Sequence, residues 1–267
     1  MILKFFFALI FILFAGCANA ASQPADVSQM SLIPAGSYVP FVLLSQTKKG
    51  EKDKFQLTPV KVSAFYLDRT PVTNENFLLF LQSHPAWLRS KIASVFADSH
   101  YLQNWQTDTK LRNPEYKLRP VTEVSWFAAK AYCESQGKTL PTTDQWEYAL
   151  ADQGRGKSRI NARILAWYSR PNSESIAKVG ASSPNGFGIQ DMIGLVWEWT
   201  LDFNNILAGD ELREEGSKES GIFCGGGSLG KLDSSDYASF MRYSFRTSLK
   251  ASYTTENLGF RCALEKL

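Results

Sequence analysis

The segment of residues 184–200, PNGFGIQDMIGLVWEWT, constrains the fold of this chain more than any other stretch. Its glycines permit backbone angles that side chains forbid, so its first part predicts a tight, irregular turn. Trp197 and Trp199 are two residues apart and share one face of an extended segment, while Glu198 is expected on the opposite face. The pattern therefore predicts a turn that leads into a buried aromatic strand.

The composition fits a globular chain with a substantial core. The chain has 267 residues, which suits one large domain or two small ones, and hydrophobic residues make up 44% of it. Lys and Arg number 29 against 26 Asp and Glu, and the basic residues form no run that could follow a phosphate backbone. A nucleic-acid partner is therefore not expected.

The first residues are typical of a processing signal rather than of a folded domain. Residues 5–14 form an apolar segment that is too short for a membrane span. Residues 14–17, FAGC, resemble the lipobox of bacterial lipoproteins, with Phe14 where leucine is more usual. This predicts a lipoprotein signal peptide over residues 1–16 and a lipidated Cys17, and hence an outer-membrane lipoprotein that faces the periplasm.

A second cleavage site follows directly. Residues 18–20, ANA, have the A-x-A pattern of an ordinary secretory signal, which would cover residues 1–20. Both alternatives place the mature chain in an oxidising compartment outside the cytoplasm. Residues 17–29 predict a polar tether, and residues 30–267 predict a single folded domain.

Local patterns predict few helices and scattered strands. Three helix starts carry capping residues, which are Thr73, Ser125 and the capping-box pair Thr142 and Gln145. Strands are predicted over residues 60–67 and 257–264, an irregular insertion over the core at 83–116, and an exposed loop over the polar, basic residues 152–163. The pattern has no βαβ alternation and favours an irregular α+β fold with little regular secondary structure.

Six segments carry a family signal. In chain order they are MSLIPAGSYVPF, VSAFYLDRTPVTNENFLLFL, RPVTEVSWFAAKAYCESQGKTLPTTDQWEYAL, SPNGFGIQDMIGLVWEWT, GGGS and NLGFRCAL. Together they resemble the formylglycine-generating enzyme family, also called the sulfatase-modifying factor family. The resemblance covers nearly everything from residue 30 to the end and implies a fold related to the C-type lectin fold.

The resemblance implies an oxidase that converts a substrate cysteine to formylglycine. That reaction needs two thiols after the GGS motif, where they bind copper(I). The corresponding segment here, residues 228–242, contains no cysteine or histidine, and its one methionine is Met241 near the end. Ser228 matches the serine beside the thiols, but a serine at a glycine turn is more often a backbone hydrogen-bonder than a nucleophile. Copper and the formylglycine reaction are therefore not expected.

The resemblance also implies a disulfide between Cys133 and Cys262. The second bridge of the family would place cysteines at Leu150 and Tyr243, and both are absent together. Cys224 is left over, and it suits either a buried small apolar residue or a lone thiol that is reactive or forms an intermolecular bridge.

A calcium site is the one cofactor site that the resemblance supports. Asp191, Gly194, Val196 and Glu198 match the ligand positions and offer two carboxylates and two backbone carbonyls, which are the oxygen ligands that calcium prefers. The alternative is structural, with Asp191 closing an Asx-turn and Glu198 accepting backbone N–H groups.

Two functions follow from the retained scaffold and the missing thiols. The first is an accessory or binding protein of an envelope assembly, with a protein or peptide partner in the groove lined by Ser228, Trp197 and Arg246. The alternative is a periplasmic oxidoreductase that acts on a peptide or siderophore precursor without the thiol pair, with Arg246 or Arg261 orienting an acidic group. An enzyme is expected to show a closed pocket with convergent polar groups, and a binding protein an open groove with exposed aromatic residues.

Overall fold

The structure is a computed structural model that describes residues 25–40, 59–151, 157–169, 176–203, 245–246 and 248–266. Within these ranges short helices and strands alternate with long irregular segments, which confirms the predicted α+β class. None of the helices in these ranges has the length and apolar character needed to cross a membrane.

The helices and strands are all short. The α-helices are α1 (Asn74–Ser83), α2 (Trp126–Ser135), α3 (Thr143–Ala151) and α4 (Lys157–Tyr168), and two 3-10 helices cover Pro85–Trp87 and Pro114–Leu118. The strands are β1 (Met30–Ile33), β2 (Gly36–Tyr38), β3 (Val60–Val62), β4 (Phe65–Asp68), β5 (Trp105–Thr107), β6 (Lys110–Leu111), β7 (Trp197–Glu198), β8 (Leu258–Gly259) and β9 (Ala263–Glu265).

The first three α-helices begin where their capping residues predict. The hydroxyls of Thr73 and Ser125 each accept a hydrogen bond of 3.2 Å from a backbone N–H three residues further along. At α3 the capping box is reciprocal, because Gln145 N–H donates to the Thr142 hydroxyl at 3.1 Å and Thr142 N–H donates to the Gln145 side chain at 2.9 Å. These bonds satisfy N–H groups that have no partner inside the helix.

The prediction of a loop over residues 152–163 is wrong from residue 157 onward, because α4 begins there. Ile160 and Ile164 are four residues apart and therefore share one face of the helix, where they are 6% and 1% exposed. Basic and polar residues between them conceal this spacing in the sequence. Residues 152–156 lie outside the described residues.

The strands form small sheets, and β4 is the central strand of the three-stranded one. A three-stranded antiparallel sheet has the order β1-β4-β9, while β2 pairs with β3, β5 with β6, and β7 pairs in parallel with β8. The strand predicted over residues 60–67 is therefore two strands, since β3 and β4 pair with different neighbours. The strand predicted over 257–264 divides into β8 and β9 for the same reason.

Two clusters of buried side chains form the core. One lies around α1 and α2, where the rings of Phe77, Tyr132 and Phe260 have centroids 5.3–6.1 Å apart. The other lies between α3, α4 and the strands of the first half of the chain. The insertion at 83–116 contributes Tyr101 and Trp105 to the first cluster, each 1% exposed. That insertion is therefore part of the core and not only a cover over it.

The end of the predicted tether also belongs to the folded unit. Arg69 N–H donates to the carbonyl of Gln29 at 3.1 Å, and the Arg69 guanidinium donates to the carbonyl of Ser28 at 3.3 Å. These backbone contacts fix the chain just before β1.

The disulfide implied by the resemblance is present. Cys133 on α2 and Cys262 beside β9 are bonded across 129 residues of sequence, and neither residue is exposed. Next to this bond, Cys262 N–H donates to the Asp68 carboxylate at 3.0 Å. The disulfide therefore ties a helix of the first core cluster to the edge of the three-stranded sheet.

Removal of this bond is expected to destabilise the domain strongly. Joining residues so far apart restricts the unfolded chain, and the chain-entropy relation gives about 4–5 kcal/mol for a loop of this size. The double variant Cys133→Ala/Cys262→Ala should lose about that much free energy of unfolding in urea titrations, and reduced wild type should match it. A loss below about 1 kcal/mol, or non-reducing peptide mapping without the 133–262 link, would contradict the assignment.

Candidate functional site

The turn before the aromatic strand is held by side chains that bond backbone groups. The Asn185 carboxamide oxygen accepts from the N–H groups of Phe187 and Ile189 at 3.0 Å each, and its NH2 donates to the Ala149 carbonyl of α3 at 2.8 Å. Gly188 has φ 78°, which a residue with a side chain rarely adopts. The predicted tight turn is therefore confirmed, and it is attached to α3.

Asp191 fixes the next part of the segment. Its two carboxylate oxygens accept backbone N–H groups from Gly180 and from Ser182, the latter at 3.0 Å, and the Ser182 hydroxyl accepts from Asp191 N–H at 2.7 Å. Asp191 has φ 59° and is 3% exposed. The hydrogen bonds therefore offset the energetic cost of a left-handed backbone conformation at a buried position.

Glu198 forms a buried ion pair with Arg261. The carboxylate accepts from Arg261 Nε at 2.7 Å and from Arg261 Nη2 at 2.8 Å, and both side chains are fully buried. Trp146 Nε1 of α3 donates a third hydrogen bond to the same carboxylate at 2.7 Å. Bidentate pairing of this kind is among the strongest hydrogen-bonding arrangements in proteins.

The remaining N–H groups of Arg261 all find backbone acceptors. Nη1 donates to the carbonyls of Asp68 and Arg69 at 3.1 and 3.2 Å, and Nη2 donates to the carbonyl of Gln190 at 2.9 Å. All five guanidinium N–H groups are therefore satisfied, as a buried charge requires.

These contacts do not fit the predicted calcium site. Both Glu198 oxygens face Arg261, whose charge already neutralises the carboxylate, and a calcium ion there would lie close to a second cation. Within the described ranges no cluster of three or more His, Cys, Asp or Glu side chains could hold a metal. Calcium binding through Asp191, Gly194, Val196 and Glu198 stays a prediction of the resemblance.

The structural alternative, an Asx-turn closed by Asp191 and a Glu198 that accepts backbone N–H groups, is also wrong. Asp191 bonds residues 180 and 182, which precede it by 11 and 9 positions, so it does not close an Asx-turn. Glu198 accepts from the side chains of Trp146 and Arg261 and not from the backbone. Long-range partners of this kind leave no local signal in the sequence.

A pocket lies between α3, α4 and β7 and is bordered on another side by residues 245–249. It encloses about 700 Å³, which includes space open to solvent. Three half-buried rings form one continuous wall, because the centroids of Trp167 and Trp197 are 4.8 Å apart and those of Trp197 and Phe245 are also 4.8 Å apart. Such an aromatic lining suits an apolar or aromatic group of a ligand.

Polar groups converge on the same pocket. Thr143, Glu147, Glu198 and Arg246 are among its lining residues. Arg246 is half-buried, and its Nε atom is buried without a hydrogen-bond partner. The pocket therefore combines an aromatic wall with an arginine among its lining residues.

The structure brings together two of the three predicted groove residues. Trp197 and Arg246 both line the pocket. Ser228 lies outside the described residues, as do Cys17 and Cys224. The pocket has features expected of both functions, since it has convergent polar groups as well as partly exposed aromatic rings.

Tyr38 is a pocket-supporting residue that the sequence did not indicate. Its hydroxyl lies 2.8 Å from Asp144 Oδ1 and 3.4 Å from Glu147 Oε2. Burial, and next the charge of Glu147, raise the pKa of Tyr38 far above its usual value, so its hydroxyl stays a neutral donor. More than 100 residues separate Tyr38 from α3, and no motif links them.

The geometry defines an irregular α+β domain with an aromatic-walled pocket beside a buried ion pair. The chain belongs to the sulfatase-modifying factor enzyme 1-like domain family, whose model matches residues 17–266. The resemblance seen in the sequence is therefore confirmed.

Curated relatives support the same family. The chain is 26% identical to the formylglycine-generating enzyme of Bos taurus over 305 residues, which cover 92% of this chain and 77% of the relative. It is 28% identical to the inactive C-alpha-formylglycine-generating enzyme 2 of Bos taurus over 276 residues, with 88% and 87% covered. The solved structure of PvdO from Pseudomonas aeruginosa is similar in fold, with a TM-score of 0.52 at 19% identity, covering 89% of this chain and 94% of that one.

Loss of one partner of the buried ion pair is expected to be costly. Glu198→Gln leaves the buried Arg261 charge without a counter-charge, which typically lowers the free energy of unfolding by about 3–5 kcal/mol. Glu75→Gln is the matched control, because Glu75 and Lys117 form an exposed pair at 3.3 Å, and such pairs contribute about 0.2–1 kcal/mol. Urea unfolding of both variants makes the comparison, and equal losses would contradict a structural role for the buried pair.

Proposed function

We propose that this chain is an envelope lipoprotein whose domain binds a peptide or protein partner in the aromatic pocket and does not produce formylglycine. The observation that carries the proposal is the distribution of cysteines around a retained pocket. Of the four cysteines, two form the buried disulfide, so only Cys17 and Cys224 could supply free thiols.

That distribution does not provide the copper-binding pair. The segment after the glycine run, residues 228–242, contains no cysteine, and Cys17 is the predicted site of lipidation. A single remaining thiol cannot supply the paired soft ligands that copper(I) selects. The family also includes a relative named as inactive, the bovine C-alpha-formylglycine-generating enzyme 2.

The pocket supports binding as the retained activity. Its wall of Trp167, Trp197 and Phe245 offers planar apolar surface, and Arg246 adds a polar group that fixes orientation. Few well-placed polar groups in a mostly apolar concave site are what ligand recognition requires. No part of this proposal depends on calcium or copper.

The absence of oxidation is tested with a sulfatase-motif peptide. The full chain, solubilised in detergent, is incubated with the peptide, oxygen and copper(I), with the bovine formylglycine-generating enzyme as positive control. Mass spectrometry should find the cysteine of the peptide unchanged with this chain and converted to the aldehyde with the control. Formylglycine formed by this chain would overturn the proposal that it does not oxidise its partner.

The membrane attachment is tested at Cys17. A lipoprotein loses its anchor when its acyl-accepting cysteine is removed. Cys17→Ser should therefore move the protein from the membrane fraction to the soluble fraction or leave its signal peptide uncleaved. Cys224→Ser serves as the matched cysteine control and should fractionate like wild type. An unchanged distribution of Cys17→Ser would favour ordinary secretory cleavage at residues 18–20.

A further inference from the structure

An apolar patch is exposed where the insertion at 83–116 meets α2. Val95 is 67% exposed and the adjacent Phe96 is 42% exposed. The ring of Phe96 contacts two half-buried rings, since its centroid lies 5.8 Å from that of Trp87 and 5.3 Å from that of Phe127 on α2. These four residues form one connected surface, which we call the apolar patch, and none of them lines the pocket.

The segment that carries most of this patch has the composition of a membrane-interface segment. Residues 85–97, PAWLRSKIASVFA, combine Trp, Phe and aliphatic residues with Arg89 and Lys91 and contain no acidic residue. Trp and basic side chains are favoured at membrane interfaces, because each has an apolar part beside a polar end. Lys, Ser and Ala, which supply six of these 13 residues, are instead depleted at interfaces between proteins. The composition therefore favours a lipid surface over a protein partner.

Polar contacts hold this segment at both ends while the patch stays outside. The Arg89 guanidinium donates to the backbone carbonyls of residues 102 and 105 at 2.9 and 3.2 Å. Asp98, which directly follows the segment, accepts from the N–H of Thr254 at 3.1 Å. The exposure of the apolar patch is therefore a property of how the segment is attached to the core.

Positive charge lies beside the patch. Lys91 is exposed and forms no ion pair within the ranges that the structure describes. The two aspartates near the segment are already engaged, since Asp98 accepts from Thr254 and Asp108 accepts from Ser90. Lys91 is therefore available to anionic headgroups, and a basic residue close to an anionic leaflet adds to membrane affinity.

The proposed lipid anchor would keep this patch close to a bilayer. Arg69 fixes the chain at Gln29, and residues 17–29 span at most about 45 Å when fully extended. A globular domain of this size has a diameter of about 45 Å. The tether therefore allows the patch to reach the membrane that holds Cys17.

We propose that the apolar patch docks on the surface of an anionic lipid bilayer, with Trp87, Val95 and Phe96 in the headgroup region and Lys91 beside lipid phosphates. This interaction surface is separate from the pocket and needs no ligand there. It uses the proposed anchor only as the cause of proximity.

Hydrogen exchange of the full chain on vesicles tests the docking. The chain is reconstituted with anionic vesicles of phosphatidylethanolamine and phosphatidylglycerol, and mass spectrometry measures the protection of residues 88–97. Val95→Ser/Phe96→Ser removes apolar surface without adding charge, so the protection by lipid should fall about tenfold or more. Both proteins have the same N-terminus, and the difference therefore reports the patch whether or not Cys17 is acylated.

Two further variants complete the test. Leu32→Ser is the matched control, because Leu32 on β1 is 44% exposed and lies outside the patch, and it should be protected like wild type. Lys91→Gln should lower the protection about fivefold on anionic vesicles, as expected for one lysine at such a surface, and leave it unchanged on neutral phosphatidylcholine vesicles. Wild type should itself be protected less on neutral vesicles, a comparison that needs no variant to fold.

Three results would overturn the proposal. Equal protection in wild type and Val95→Ser/Phe96→Ser would show that the patch does not contact lipid. Protection that rises with protein concentration at constant lipid would assign the patch to a second copy of the chain. Equal protection of wild type on anionic and neutral vesicles would remove the selection for an anionic surface.

Discussion

The ion pair between Glu198 and Arg261 connects several described parts of the chain that are distant in sequence. Its carboxylate lies on β7 and also accepts from Trp146 on α3, while the guanidinium reaches backbone carbonyls at the end of β4 and at residue 190. Burying two charges is unfavourable, and the complete set of hydrogen bonds offsets that cost. The turn, the helix and the C-terminal segment are therefore held in one geometry.

The same pair determines which way the aromatic residues face. Because Glu198 turns toward Arg261, its neighbours in the extended segment turn to the other side. Trp199 enters the core, where its Nε1 donates to the Val124 carbonyl at 2.9 Å, and Trp197 forms the middle of the pocket wall. Three consecutive residues, 197–199, thus supply a wall residue, the carboxylate of the central ion pair and a core residue.

Local chemistry explains what the sequence could predict about the fold. The helix starts at Thr73, Ser125 and Thr142 were predictable because a cap depends on residues within one turn. The beginning of α4 was missed because its buried face consists of few apolar residues among many basic ones. The division of the predicted strands was missed because strand partners are set by distant segments.

The candidate site likewise contains residues that could be predicted from the sequence and residues that could not. Two of its residues, Trp197 and Arg246, were predictable from a resemblance that covers the whole domain. The residues that orient the site could not be predicted, because their partners are far away in the sequence. Arg261 lies 63 residues from Glu198, and Tyr38 lies 106 residues from Asp144. Only the fold brings such pairs together.

The central claim is that this domain keeps a binding pocket with an aromatic wall, and tryptophan indole NMR tests it most directly. The chain has seven tryptophans, and 15N labelling gives each indole N–H its own signal. Addition of a peptide that the domain binds should shift the signals of Trp167 and Trp197, which line the pocket, and leave in place that of Trp105, a core residue outside the lining. Unmoved wall signals at saturating peptide, or an equal shift of Trp105, would contradict binding in this pocket.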